Sequence, residues 1–373
     1  MLKKIYISVI FTTFLALSGW SQTPTITIEA AKLYEQKELQ NAKEKIDAAI
    51  LIDAGAKDPY TWHVRGHIYK ELYKVVDNRS RTSVNRERSV EAFFKAIELD
   101  TEKKFFQMNY NIIKTFYIPS YYNDVVNMMK ARERKNIDEI KPQYEKYRAI
   151  QKKLEPSFDL RNRDLNFLKA YATSYRKFIE KDRMEWKDPA SYEYEFNKVR
   201  ENYRAAIRID STDYGTNYNL SINLYNEAAY LIEKLDENST LEDLNRIQTN
   251  CVMLFKEALP YALTAFKLKP ERVEINKALR AIYYSLLLEK KRDFFDESLK
   301  SIKHGKSLDG PAFAKWQIEF DKNAEDVHKK CVKGLKKDIE GVEHSTFGKS
   351  EEDIFQRLDF NSDDELEYPQ LRK

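Results

Sequence analysis

One helical pattern recurs along this chain and constrains its fold more than any other feature. Four segments share a small or aromatic residue, then apolar residues repeating about every 3.6 residues, then an Asp or Lys at which the pattern stops. They are residues 42–53, 89–100, 199–210 and 258–269. Because each segment places its apolar residues on one side of a helix, each predicts a helix with one buried face. Recurrence of such a unit predicts an array of similar helical units.

A second helical segment follows each of these four. The second segments begin near Trp62, Asn109, Asn217 and Asn276, which lie 9, 9, 7 and 7 residues after the preceding stop residue. The triplet Asn-Tyr-Asn occurs in two of them, at 109–111 and 217–219. The matching register predicts that each unit is a pair of antiparallel helices, and hence an all-α fold class.

Composition agrees with this prediction and excludes several other classes. The 373 residues include 9 Gly, well below the usual share of about 7%. Collagen-like, glycine-loop-rich and turn-rich β architectures are therefore excluded. With 33% charged and 42% hydrophobic residues, the chain has the composition of a largely helical protein.

The units resemble the tetratricopeptide repeat (TPR) family, whose pattern is W-x2-L-G-x2-Y, then A-x3-F, then P. Trp62, Gly66 and Tyr69 match the first part, with Arg65 in place of Leu. The other matches are Ala42, Ile46 and Ala49; Ser89, Phe93 and Ala96; and the closing Pro270. The stop residues lie 47, 110 and 59 residues apart rather than 34. The resemblance is therefore to a divergent member with longer helices or insertions.

The resemblance implies an α-solenoid built of helical hairpins. TPR-like repeats are expected over 22–118 and 190–304, with a helical insertion at 119–189, a C-terminal helical cap at 305–340 and an acidic tail at 341–373. From Lys141 to Lys187 the insertion carries 13 basic and 7 acidic residues, and the tail carries 9 acidic and 4 basic residues. The basic excess indicates either a solvated outer face or a contact surface for an anionic partner or lipid headgroups.

The N-terminus has the layout of a secretory signal peptide. Lys3 and Lys4 precede the uncharged apolar run 5–17, and small residues at 18, 19 and 21 suit cleavage after Ser21. The alternative is an uncleaved anchor. We therefore expect residues 1–21 to direct export, and a periplasmic or extracellular mature chain with no transmembrane segment. Without Lys3 and Lys4 the charge is nearly balanced, so nucleic acid is not an expected partner.

The chain has two cysteines, Cys251 and Cys331. In an oxidising compartment they could form one disulfide, and two buried thiols in helices are the alternative. The sequence leaves both open.

Recognised catalytic motifs are absent from the sequence, so no enzyme activity and no cofactor are predicted. There is no nucleophile elbow, no glycine-rich dinucleotide turn, no HExxH motif and no cysteine pair with metal-ligand spacing. His63, His67 and Glu71 share one face of a helix and could ligate Zn²⁺. This metal-binding or enzymatic alternative remains open beside a third, in which the protein is a structural spacer whose basic insertion contacts the envelope surface.

The resemblance implies a partner site in the concave groove formed by the first helix of each repeat. The groove residues it implies are Tyr60, His63, His67, Lys70, Tyr110, Asn111, Lys114, Tyr117, Tyr218, Asn219, Tyr225, Asn226, Lys277 and Tyr284. Tyr offers contact area at low entropy cost, and Asn can hydrogen-bond an extended backbone. The expected function is a non-catalytic protein-interaction scaffold of the cell envelope that binds a peptide segment or partner protein. Packing between repeats is the other use for these tyrosines.

Overall fold

The structure, a computed structural model, describes residues 24–131, 133–183 and 189–304. Over this part of the chain every regular element is a helix and no β-strand occurs. The all-α prediction is therefore confirmed. The predicted signal peptide (1–21), C-terminal cap (305–340) and acidic tail (341–373) lie outside the described residues.

The helices follow one another through short connections. They are α1 (Thr25–Glu35), α2 (Leu39–Ala49), α3 (Asp53–Lys57), α4 (Pro59–Val75), α5 (Val84–Leu99), α6 (Phe106–Ile112), α7 (Ile118–Ala131), α8 (Ile137–Leu154), α9 (Arg161–Arg183), α10 (Pro189–Ile209), α11 (Tyr214–Glu233), α12 (Leu241–Leu268), α13 (Val273–Ser285) and α14 (Glu289–Lys303). A π-helical turn, Ile113–Tyr117, joins α6 to α7, and a 3-10 turn, Arg134–Asn136, precedes α8.

The described residues divide into two compact units, the first ending at Asn223 and the second beginning at Leu224. In the first unit α1 packs on α2, α4 on α5, α7 on α8 and α9 on α10. In the second unit α13 packs on α12 and on α14. Helices that follow one another along the chain thus pack against each other in both units.

The region predicted as an insertion, 119–189, contributes to this pairing. Helix α8 packs mainly against α7, which precedes it, and α9 packs mainly against α10, which follows it. Contact between α8 and α9 themselves is slight. The two helices of this region therefore pack mainly on the helices before and after them and only slightly on each other.

The starts of α4, α11 and α13 share a hydrogen bond between a side chain and the chain before the helix. Trp62, Asn217 and Asn276 each stand fourth in their helix, and each donates from its side chain to the carbonyl six residues earlier. The bonds run from Trp62 Nε1 to Ala56 (2.9 Å), from Asn217 Nδ2 to Ser211 (3.0 Å) and from Asn276 Nδ2 to Pro270 (2.7 Å). The side chain thereby fixes the loop before each helix, which explains the common register of the units.

A glycine sets the close approach of α4 to α5. A Cβ added at Gly66 would lie 2.6 Å from the ring of Phe93, which is fully buried. The hydroxyl of Ser89 donates to the Gly66 carbonyl oxygen at 2.6 Å and accepts from the hydroxyl of Tyr117 at 2.5 Å. This crossing joins α4, α5 and the π-helical turn in one packed layer.

We expect Gly66→Ala to lower the free energy of unfolding by about 1–3 kcal/mol, because the new methyl group overpacks against Phe93. Gly215→Ala is the matched control, since its Cβ meets neighbouring side chains only at 3.6 Å or beyond. In helix α11 that change should leave stability unchanged or raise it by up to about 1 kcal/mol. Urea unfolding of both variants measures the difference, and equal stability of the two would contradict this packing.

Candidate functional site

A continuous strip of aromatic and polar side chains crosses the first unit. It is supplied by the end of α1, by one face of α4, and by the start of α6 with the π-helical turn that follows it. Its members, which we call the aromatic strip, are Tyr34, Tyr60, His63, His67, Lys70, Glu71, Phe105, Phe106, Tyr110 and Lys114. All are half-buried except Lys114, which is exposed. The strip therefore presents ring faces and polar groups to solvent while its other side is anchored in the core.

Two histidines form the centre of the aromatic strip. The His63 ring lies 4.7 Å from the ring of His67 and stacks on Phe105 at 5.0 Å. Its Nδ1 lies 2.7 Å from the side-chain oxygen of Asn109, which is fully buried. This hydrogen bond holds the His63 ring against the start of α6. Asn109 thus orients His63. Asn217 and Asn276, which stand fourth in their helices as Asn109 does, bond instead to the loop before the helix.

Further ring contacts extend the strip on both sides of the histidines. His67 meets Tyr34 of α1 at 6.4 Å and the buried Phe93 of α5 edge-on at 5.3 Å. Tyr60 lies 5.4 Å from Phe105, and Phe106 stacks on Tyr110 at 5.9 Å. The rings therefore link four helices into one surface.

Burial keeps both histidines uncharged near neutral pH. It lowers the pKa of His67 to about 4, with smaller contributions from the neighbouring His63 and from the positive charge of Lys70. It also lowers the pKa of His63, although Asn109 and Asp100 partly oppose this shift. The middle of the aromatic strip is therefore neutral.

Lysines surround a single carboxylate at one end of the strip. Lys74 Nζ lies 2.9 Å from Glu71, and the pKa of Glu71 is lowered chiefly by Lys74 and further by Lys37 and Lys70. The ammonium groups of Lys70 and Lys37 lie over aromatic rings, of Phe116 at 5.0 Å and of Tyr34 at 5.6 Å. Within the described part of the chain neither has a carboxylate partner. This end is therefore positive, with three ammonium groups against one carboxylate.

At the other end of the aromatic strip, Glu155 neutralises the charge of Lys114. It lies just beyond the end of α8 and accepts from the hydroxyl of Tyr110 and from Lys114 Nζ, the latter at 2.6 Å. Gln151 donates to its second oxygen at 2.8 Å. Lys114 and Tyr110 lower the pKa of Glu155, so this carboxylate stays charged. Nothing in the sequence marked Glu155, because it lies outside the repeated segments.

The structure brings together only part of the predicted groove. Tyr60, His63, His67, Lys70, Tyr110 and Lys114 lie in the aromatic strip, with the exposed Asn111 beside them on α6. The half-buried Tyr218 and buried Asn219 fall in the first unit, whereas the buried Tyr225, half-buried Asn226 and exposed Lys277 and Tyr284 fall in the second. The strip also contains Tyr34, Phe105 and Phe106, which the sequence analysis did not select.

The π-helical turn explains why Tyr117 is a core residue. From Trp62 to the buried Tyr69 is a step of seven residues, whereas from Asn109 to Tyr117 it is eight. The π-turn absorbs the extra residue, so Tyr117 takes the interior position equivalent to Tyr69 rather than a place on the surface. Pro119, which lacks an N–H group, lies two residues after the turn and favours this departure from α-helical geometry.

Two further predicted groove residues are also interior. Tyr225 is buried against Phe255, with ring centroids 5.2 Å apart, and burial raises its pKa to about 12. Asn219 is buried in α11. These side chains are placed to stabilise the units rather than to meet a partner.

The alternative metal set does not converge. His63 Nδ1 faces Asn109, and Glu71 pairs with Lys74. In residues 24–131, 133–183 and 189–304, no three His, Cys, Asp or Glu side chains are grouped so that they could hold a metal ion.

Cys251 is buried, and its thiol donates to the carbonyl of Ala228 at 3.3 Å. Burial raises the pKa of this thiol to about 12. Cys331 lies outside the described residues, so the disulfide stays a prediction.

Comparison with known proteins assigns no family: no known protein family matches the chain, and no curated protein matches it. Among the described helices, none combines the length and apolar character needed to cross a bilayer. Function must therefore be inferred from the aromatic strip itself.

Proposed function

We propose that the protein is a non-catalytic binding scaffold and that the aromatic strip is its partner site. The observation that carries this proposal is the continuity of half-buried rings from Tyr34 on α1 through His67 and His63 to Phe105. Such side chains combine contact area with polar tips and are enriched in protein interfaces. Rings used only for packing would be expected in the interior, as Tyr117 and Tyr225 are.

The partner in this proposal is an extended segment or a helix of another protein, lying across α1, α4 and α6. The aromatic strip supplies apolar contact, and Asn111 and the histidine nitrogens supply hydrogen bonds. The resemblance to TPR proteins supports the proposal because the first helices of that family face a concave groove. In keeping with that resemblance, we propose a divergent, exported TPR-like array acting in the cell envelope.

A crosslinked pull-down of the tagged protein from its native host tests the proposal. We expect a partner that is recovered with the wild type and lost with a Tyr60→Ala, Phe106→Ala, Tyr110→Ala variant. The matched control is a Tyr194→Ala, Tyr284→Ala variant. These two tyrosines lie outside the strip and are 44% and 43% exposed. Circular dichroism first establishes that both variants keep their helices.

The comparison between the two variants decides the outcome. Loss with the strip variant and retention with the control supports the strip as the partner site. If both variants recover the same partners as the wild type, the aromatic strip is not the site.

A further inference from the structure

Four lysines lie in or beside the aromatic strip, and they differ in whether they form an ion pair. Lys114 pairs with Glu155 and Lys74 pairs with Glu71. Lys70 and Lys37 have only aromatic rings beneath their ammonium groups, and no carboxylate within ion-pair distance among the described residues. Lys70 in the strip and Lys37 beside it therefore form no ion pair of their own and share the single carboxylate of Glu71 with Lys74.

Lys70 is the more informative of the two. It is half-buried, and burial lowers its pKa, with the nearby charge of Lys74 acting in the same direction. A partly desolvated ammonium group gains more from an added carboxylate than a fully solvated one does. The desolvation free energy of holding the Lys70 ammonium group beside Phe116 would therefore be offset when an anionic group binds there.

The surroundings of these lysines indicate what kind of anion fits. Tyr34 lies beside Lys37, and Phe116 lies beneath Lys70. The neutral rings of His63, Tyr60 and Phe105 continue the surface away from the cations. An anion that fits this surface therefore carries apolar groups next to its negative charge, as a peptide with acidic and aromatic or aliphatic side chains does.

We infer that the partner segment is acidic and that it places a side-chain carboxylate between Lys37 and Lys70, with neighbouring apolar side chains on Tyr34, Tyr60 and Phe105. The inference rests on the proposed function and names the chemistry of its partner. Charge complementarity sets the specificity, and the rings supply the contact area.

Fluorescence anisotropy with two labelled synthetic dodecapeptides tests the inference on the full chain. One peptide alternates Glu with Phe and Leu, and the other has Gln at every Glu position. We expect the Glu peptide to bind at least tenfold more tightly, and its affinity to fall with added salt. A Lys37→Gln, Lys70→Gln variant should lose about tenfold in affinity for the Glu peptide and keep its affinity for the Gln peptide.

The matched control is a Lys57→Gln, Lys95→Gln variant, which removes two lysines that form surface ion pairs outside the strip. It should bind the Glu peptide as the wild type does. Equal loss in both double variants would show a general effect of net charge and overturn the inference.

Other outcomes would also overturn it. These are equal affinity for the two peptides, no binding of either, or competition by inorganic phosphate or anionic phosphatidylglycerol vesicles as effective as that of the unlabelled Glu peptide. The proposed function is judged separately, since the pull-down variant changes only aromatic residues. The peptide experiment can therefore contradict an acidic partner while the pull-down still supports the aromatic strip as the partner site.

Discussion

Replacing Asp124 by Ala is expected to lower the free energy of unfolding by about 3–5 kcal/mol. Arg86 of α5 is fully buried, and its guanidinium donates to the carboxylate of Asp124 on α7. The same guanidinium lies 3.4 Å from the centre of the Tyr121 ring. Without Asp124 the cation stays buried and loses its charge partner, which is among the most destabilising changes a protein interior can undergo. A typical domain is stable by only about 5–15 kcal/mol.

Urea unfolding with two companion variants identifies the cause. In Arg86→Met, Asp124→Leu both charges are gone, so most of the lost stability should return. Asp53→Ala breaks the pair with Lys57, whose side chains are largely exposed, and should cost under about 1 kcal/mol. An Asp124→Ala variant as stable as Asp53→Ala would contradict the account of this buried pair.

Stability is expected to fall by about 3 kcal/mol as the pH drops from 6.5 to 4, through His67 alone. In the unfolded chain His67 takes up a proton near pH 6.5, whereas in the folded protein it does so only near pH 4. The unfolded state therefore binds the proton first. This contribution is complete above pH 6.5, declines between the two values and changes no further below pH 4.

A His67→Gln variant isolates this effect, because every other titrating group is common to both proteins. The stability of the wild type relative to the variant should decrease by about 3 kcal/mol between pH 7 and pH 4. Glu71, Lys70 and His63, all on the same helix, are the titratable groups that act on His67, and all remain in the variant. A stability difference that stays constant with pH would show that His67 is not desolvated in the folded protein.

Local sequence signals were sufficient to place the helices of the repeated units. Helical spacing of apolar residues predicted α2, α5, α10 and the end of α12, and the matching register of the second segments predicted α4, α6, α11 and α13. The recurring positions of Trp62, Asn217 and Asn276 marked helix starts because the side chain there bonds to the preceding loop. These features depend on neighbours within about six residues, which is why one sequence suffices to reveal them.

Pairing between helices was harder to predict, because it depends on residues far apart in the chain. Helix α8 carries a clear apolar stripe, yet the stripe does not specify whether α7 or α9 covers it. The position of Tyr117 was predicted from an unbroken α-helical register. The eight-residue step from Asn109 was the one available signal of the π-helical turn that moves this ring into the core.

The candidate site shows the same division. His63, His67 and Lys70 were found because they share a face of one helix. Phe105 and Glu155 were missed because they reach the strip from the start of α6 and from beyond the end of α8. Only tertiary structure brings them to α4 and α6, so no spacing rule could have selected them.

Site-specific photocrosslinking in the native host tests the central claim most directly. A photoreactive phenylalanine analogue is placed at Phe106 in the aromatic strip or, as the control, at Leu241, which is 74% exposed outside it. We predict that illumination gives a defined protein adduct from position 106 and none from position 241. Adducts from position 241 alone, or the same adducts from both, would contradict the assignment of the partner site to the aromatic strip.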